Sequence, residues 1–349
     1  MVKYKFNLEK EILDYINKYP NSSSKEIHEG LGNLVAFATI KRTITVLLSQ
    51  NFIVTIGRGK ATKYSISKGL DVLFPIDIET YFENEIDERQ IKEVFNFDLI
   101  KETLNTVSIF TNDEIIKLSH LQNNFSENIS KLTAVEYNQE FERLAIDLSW
   151  KSSQIEGNTY SLLETERLLK EKETAAGKTK DEAVMLLNHK ATLDFILDNS
   201  DYVNPLTVSR IEDIHSLLIE SLGIDRNIRN RRVGISGTNY KPLDNEFQIK
   251  EALRDMCELI NTKDNIFEKA LLALVLLSYI QPFSDGNKRT ARIISNAILM
   301  YNKYCPLSFR TVDSIDYKKA MLVFYEQNNI SAFKKIFMEQ FEFAVKTYF

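Results

Sequence analysis

Cysteine is scarce in this chain of 349 residues: Cys257 and Cys305 are the only two. Two cysteines cannot make a disulfide framework, which fits a reducing compartment, and a cytoplasmic protein is expected. Glycine (11) and proline (6) are also few. Little of the chain is left for turns, so most of it is expected to be helical. No apolar run reaches membrane length. The longest, "ALLALVLLSYI" from Ala270 to Ile280, is about half of a span and reads as a buried core helix, so no membrane partner is expected. The opening "MVKYKFNLEK" offers no apolar signal-peptide core. His28, His120, His189 and His215 are the only histidines. They stand apart on helical stretches and read as structural.

What is present fits a globular chain of two or three domains, with 44% hydrophobic residues and a length that allows a sizeable core. Charge is unevenly spread. Residues 1–70 hold 11 Lys/Arg against 5 Asp/Glu, a balance of +6, so the remainder carries −11 of the net −5. A basic module on an acidic body suggests a nucleic-acid partner.

That module reads as a winged helix-turn-helix over residues 1–70. Leu8, Ile12, Leu13 and Ile16 recur at helical spacing before Pro20. Ser23 or Ser24 can cap a second helix, which ends at Gly30 or Gly32. Ile40, Ile44, Leu47 and Leu48 mark a third, with Lys41 and Arg42 off its apolar face. Two β-rich runs follow around "GRGKA", a turn carrying Arg58 and Lys60. In a winged helix-turn-helix the third helix enters a major groove and the wing touches phosphate. Lys41, Arg42, Arg58 and Lys60 are the candidate contacts to duplex DNA. The same module can instead serve protein contacts or a homodimer.

Residues 71–132 read as an acidic helical connector, with an Asp at the N-cap of its last helix. From about residue 133 a series of helical patterns runs to Phe349, interrupted by "RRVGISGTNYKP". The β-branched residues, two glycines and proline of that stretch suggest a β-hairpin flap. The fold expected is therefore mainly α: a helical core with a β-hairpin flap, behind the winged module.

The richest stretch is "QPFSDGNKRTAR", from Gln281 to Arg292. It follows the apolar helix and opens another. Free N–H groups and the helix dipole at such a start form an anion site. Gly286 allows close backbone approach. Asp285 can ligate Mg²⁺, a hard cation that favours carboxylate and phosphate oxygens. Arg289 and Arg292, three apart, share a face and suit bidentate phosphate contacts. An N-capped helix with a solvated basic face is the bland alternative.

This stretch resembles the signature of the Fic (Fido) family, His-Pro-Phe-x-Asp/Glu-Gly-Asn-Gly/Lys-Arg-x-x-Arg, at eleven of twelve positions. A second family motif, the inhibitory Ser/Thr-x-x-x-Glu-Gly/Asn, is matched by Ser152, Glu156 and Gly157. The resemblance covers roughly Ala134 to Phe349. It implies an all-helical core and transfer of AMP from ATP to a hydroxyl of a protein target, with Mg²⁺. Carried over by position, Gln281 and Arg289 fall at catalytic places. Asp285 would hold the metal, and Gly286, Asn287, Lys288, Arg289 and Arg292 would surround the nucleotide. Glu156 would inhibit by occupying Arg292. Gly237, Thr238, Asn239 and Tyr240 would belong to the flap that lays a target segment beside the site.

Two departures stand out. The family's general base is His, and here it is Gln281, whose amide accepts no proton near neutral pH. Loss of such a base costs about 10²- to 10⁴-fold, although phosphoryl-type transfer rests largely on positioning. Glu156 is the nearest carboxylate that could serve as a base. Lys288 stands where AMP-transferring members usually have Gly, and it matches a Doc-like kinase branch. The alternatives implied are weakened AMP transfer, phosphate transfer, and a catalytically inactive nucleotide-sensing transcriptional regulator.

Overall fold

A computed structural model describes residues 2–349, without the side chains of residues 2–7 and Lys60. The basic front begins with α1 (Val2–Lys18), α2 (Ser24–Gly30) and α3 (Phe37–Ser49). Ile12, Ile16, Ile27, Ile40 and Leu47 are fully buried between them. Ser23 and Glu26 form a reciprocal capping box that starts α2. Strands β1 (Ile53–Ile56) and β2 (Lys63–Ile66) then pair antiparallel, with Ile53 opposite Ile66 and Ile56 opposite Lys63. Gly57 makes their turn at φ 80°, where a Cβ would lie 2.7 Å from the Ala61 carbonyl oxygen. Three helices followed by a hairpin is the order expected from the sequence.

The connector differs from expectation. Only α4 (Leu70–Leu73), α5 (Ile78–Tyr81), a π-helical turn at Leu99–Thr103 and α6 (Leu104–Thr106) are helical before the long α7 (Asn112–Ser130). Residues 82–97 run as an irregular strap, because their acidic residues leave no continuous apolar face. The strap is tied down by polar bonds instead. Tyr81 Oη donates to Glu326 (2.6 Å), the Lys92 N–H donates to the Glu326 carbonyl (2.8 Å), and Asn96 Nδ2 donates to Asn328 (3.1 Å). Arg89 pairs with Glu326 at 3.4 Å, both side chains buried. The N-cap of α7 is Thr111, not an Asp, with Glu114 completing its capping box.

The core comprises α8 (Ala134–Ile155), α9 (Leu162–Glu171), α10 (Lys180–Asp198), α11 (Val208–Leu218), α12 (Glu246–Thr262), α13 (Ile266–Ile280), α14 (Asn287–Tyr301), α15 (Ser314–Gln327) and α16 (Ser331–Tyr348). The apolar run is α13, buried from Ala270 to Ile280 without interruption. Helices α12, α14, α15 and α16 pack against it, and α14 folds back along it after a short loop. Among the described residues no helix is long and apolar enough to cross a membrane.

The stretch 231–242 does not form the expected β-hairpin. Lys241 makes an isolated parallel bridge with Val94 of the strap, and Arg89 Nη2 donates to the Gly237 carbonyl at 2.8 Å. Tyr240 is buried in a stack with Tyr279 and Tyr325. The second half of the stretch is thus claimed by the strap and the core, so its two halves do not pair.

Leu274, fully buried in the middle of α13, tests this architecture. Leu274→Ala is expected to cost about 2–5 kcal/mol through transfer and cavity terms, read as a lowered midpoint in chemical denaturation.

Candidate functional site

The loop between α13 and α14 is built by its own side chains. Gln281 closes α13 in a left-handed conformation (φ 52°). Its Nε2 donates to the Ser278 carbonyl at 2.6 Å, and its Oε1 accepts from Asn287 Nδ2 at 3.0 Å. Asn287 also staples the loop's middle: its Oδ1 accepts from the Phe283 N–H (2.8 Å) and its Nδ2 donates to the Phe283 carbonyl (2.9 Å). Phe283, fully buried, stacks on His215 at 3.6 Å between ring centroids. His215 Nε2 lies 3.0 Å from the Asp285 carbonyl oxygen. Since a carbonyl only accepts, Nε2 carries the hydrogen. Burial pushes the His215 pKa down to about 4, so a neutral ring holds the loop. Gly286 sits against that ring at φ 81°, where a Cβ would approach the imidazole to 3.4 Å and an Ile219 methyl to 3.3 Å.

Arg229 was not legible as a site residue in the sequence, because its partners are backbone atoms of a distant loop. Its Nε donates to the Gln281 carbonyl (2.6 Å) and its Nη1 to the Arg231 carbonyl (2.7 Å), while its own N–H donates to the Pro282 carbonyl (3.0 Å). Burial lowers its pKa to about 10, and the guanidinium stays charged near neutrality.

Helix α14 opens without a side-chain cap on Gly286. Its first helical bond runs from the Thr290 N–H to the Gly286 carbonyl, so the N–H groups of Asn287, Lys288 and Arg289 have no acceptor within the helix. Arg289 is 1% exposed, with Asp285 Oδ2 at 3.7 Å, and its Nε and Nη1 have no hydrogen-bond partner. Burial lowers its pKa from the usual arginine value. The side chain of Asp285 is two-thirds exposed, and its Oδ1 accepts from the Gly286 N–H at 2.6 Å.

Arg292, fully buried, binds the end of α8. Its Nε donates to Ser152 Oγ (2.8 Å), and its Nη2 donates to the Ser152 carbonyl (2.9 Å) and to Glu156 Oε1 (2.8 Å). The other Glu156 oxygen, Oε2, takes Lys288 Nζ at 3.2 Å. Burial by itself would raise the Glu156 carboxyl, but Arg292 and then Lys288 hold it below its ordinary range. A depressed acid keeps its ion pairs above its unfolded pKa and loses them as pH falls through the folded value. The Glu156 contact is therefore intact at neutral pH.

A cleft of about 370 Å³ opens beside the loop, within the range of small-ligand sites; the buried Arg289 and Arg292 lie behind its lining and not on it. Glu156, Gly157, Gln281, Asp285, Gly286, Asn287 and Lys288 line it, with Tyr317 and Tyr325 in the far wall. From the flap stretch the lining residues are Val233, Gly234, Ile235 and Ser236. Gly237, Thr238, Asn239 and Tyr240, the expected flap residues, lie beyond them against the strap and the core, with Asn239 Nδ2 donating to Asp87 at 2.9 Å. A larger groove of about 790 Å³ between the front helices, the connector and α16 contains none of the loop residues. Far from the cleft, Lys41 and Arg42 are exposed on α3, and Arg58 is exposed in the hairpin turn. The side chain of Lys60 lies outside the described residues.

Comparison with known proteins agrees with this geometry. Residues 205–299 match the family model described as Fic/DOC family. A protein adenylyltransferase Fic of Nematostella vectensis is 30% identical over 175 residues, which is 48% of this chain and 40% of that relative. Protein adenylyltransferase fic-1 of Caenorhabditis elegans is 27% identical over 159 residues, 44% of this chain and 31% of that relative. The match thus spans less than half the length of these curated relatives. Among solved structures, Fic-1 of C. elegans superposes with a TM-score of 0.59 at 21% identity, over 68% of this chain and 72% of that one. A Fic-domain signaling protein of Bacteroides thetaiotaomicron gives 0.56 at 19% identity, over 66% and 94%. The part of the chain that matches the Fic/DOC family model, residues 205–299, holds the stapled loop and the opening of α14.

Proposed function

We propose that the protein binds ATP with Mg²⁺ at the start of α14 and transfers AMP to a hydroxyl of a protein target, slowly, and under restraint by Glu156. The observation that carries this reading is Arg289, a buried guanidinium with two unpartnered donors beside an uncapped helix start. Unsatisfied buried donors are costly, and a polyphosphate would satisfy them. The name of the relatives, protein adenylyltransferase, supports AMP as the group transferred.

In the transfer, the target oxygen bonds to the α-phosphorus, the bond from that phosphorus to the bridging oxygen breaks, and pyrophosphate leaves. Free N–H groups of α14 and the buried Arg289 would stabilise charge on the phosphates. Asp285 fits Mg²⁺, which typically takes one or two carboxylates plus phosphate oxygens. The metal would neutralise phosphate charge. The hydroxyl proton finds no base at Gln281, whose Oε1 already accepts from Asn287 and whose Nε2 is bonded to Ser278, and it leaves to water, which is the reason for a slow transfer. Gln281 acts as a strut of the loop. Its engagement also supports a second reading, a nucleotide-sensing regulator without transfer.

The front module is proposed to be a winged helix-turn-helix that binds duplex DNA. Its charge of +6, the exposure of Lys41, Arg42 and Arg58 and the order of its elements support this. Asn51, just beyond α3, donates to the Ser108 carbonyl (3.2 Å), so the connector holds the chain where α3 ends, while Lys41 and Arg42 nearer its start are exposed.

Three outcomes are expected. Glu156→Gly should strengthen ATP-Mg²⁺ binding in calorimetry, and Asp285→Ala in that background should weaken only the metal-dependent part. No heat from Glu156→Gly with ATP would remove the nucleotide reading. Gln281→His combined with Glu156→Gly should raise labelling from α-labelled ATP about 100-fold or more, the scale of a positioned base. Labelling from γ-labelled ATP instead would indicate phosphate transfer, and no gain with ATP still bound would leave the regulator. The full chain should bind duplex DNA with a steep salt dependence, and Arg58→Ala should weaken binding to all sequences alike. Indifference to DNA at low salt would point to a protein-contact role.

A further inference from the structure

We infer that Lys288 exchanges partners: it pairs with Glu156 in the resting protein and with a phosphate once the nucleotide is bound. The inference rests on the nucleotide reading above and assigns Lys288 a positioning role within it.

Glu156 is held by two cations, one on each oxygen. Arg292 Nη2 takes Oε1 at 2.8 Å and Lys288 Nζ takes Oε2 at 3.2 Å. The two are anchored very differently. Arg292 keeps two further bonds to Ser152, one to its Oγ and one to its carbonyl, and its fully buried guanidinium lies 5.3 Å from the Tyr317 ring centroid. It stays in place whether or not Glu156 is there. Lys288 has Glu156 as its one carboxylate within ion-pair distance among the described residues, and its side chain is 25% exposed along the cleft. When Glu156 leaves, Lys288 is the cation that is free to move.

Its position determines where it goes. Lys288 is the second residue of α14, and its backbone N–H is one of those without an acceptor in the helix. An anion drawn to that helix start lies beside the Lys288 stem, and a compact ammonium on a flexible stem suits a phosphate oxygen. Lys288 therefore opposes the nucleotide while Glu156 is bound, because it stabilises the residue that must leave. It favours the nucleotide once Glu156 has gone.

A difference in size between two backgrounds is the test. ATP-Mg²⁺ affinity is measured by calorimetry on the full chain, with Lys288→Met in the native background and in Glu156→Gly. Met keeps the apolar stem and removes the charge. In Glu156→Gly the change should weaken binding by about tenfold or more, the scale of a lost charge-assisted bond to phosphate. In the native background the same change also frees Glu156 from one cation, worth about two- to fivefold, the scale of one partly screened ion pair, so the loss there should be smaller by about that factor. Lys288→Arg should retain the native pattern in both backgrounds. An equal loss in both would mean that Lys288 is a phosphate contact that Glu156 never engages, and tighter binding in both would mean that it merely obstructs the cleft. Either result overturns the exchange. If Glu156→Gly itself binds no ATP, the nucleotide reading fails and the exchange goes with it, whereas equal losses with ATP bound in that variant overturn the exchange alone.

Discussion

Two guanidinium groups, Arg289 and Arg292, lie inside an apolar helical core with 1% exposure or less, and the organisation of the site follows from how their charge is balanced. A buried cation is tolerated only when paired and hydrogen-bonded. Arg292 meets that condition for most of its donors inside the chain, through Ser152 and Glu156, with Nη1 alone unpartnered. Arg289 meets it only in part, with one carboxylate at 3.7 Å and two unpartnered donors. One arginine is thus held by bonds within the protein and the other keeps two free donors beside the helix start. That asymmetry separates a structural ion pair from a candidate anion site three residues away along the same helix.

The loop that presents Arg289 is rigid for a different reason. Asn287 satisfies the N–H and the carbonyl of Phe283 and also holds Gln281, while Arg229 and His215 bind loop carbonyls from outside. Few of the loop's polar atoms are free to rearrange. With Gln281 the loop has a side chain that binds two neighbours at once and whose amide accepts no proton near neutral pH. Local order and local chemistry compete for the same atoms, and here order takes them.

Much of this was legible from the sequence where residues that act together stand close together. The stretch from Gln281 to Arg292 is contiguous, so its loop and the helix start that follows it could be read from local chemistry. The Ser152–Glu156 spacing was legible as a motif, although nothing in it reported that Lys288 shares Glu156 with Arg292. Arg229 left no trace, because backbone carbonyls carry no sequence signal. The stretch 231–242 was misread as a hairpin for a related reason. Its β-branched residues and glycines report extended chain, but the bridge to Val94 and the bond from Arg89 join segments about 150 residues apart. The strap of residues 82–97 was expected to be helical on the strength of its acidic composition. Composition gave no hint that Glu326 and Asn328 would hold it extended.

The aromatic stack under the flap stretch bears on how molecules enter and leave the cleft. Tyr240 stacks on both Tyr279 and Tyr325, and Phe95 of the strap stacks on Tyr279. Lifting this stretch away as a lid would return a tyrosine's surface to water, about 150–250 Å². At roughly 25 cal/mol per Å² this costs about 4–6 kcal/mol. A state that costly is occupied by about one molecule in a thousand or fewer. Val233 to Ser236, which line the cleft, precede this anchored half of the stretch. The flap stretch is thus a fixed wall of the cleft and not a lid over it.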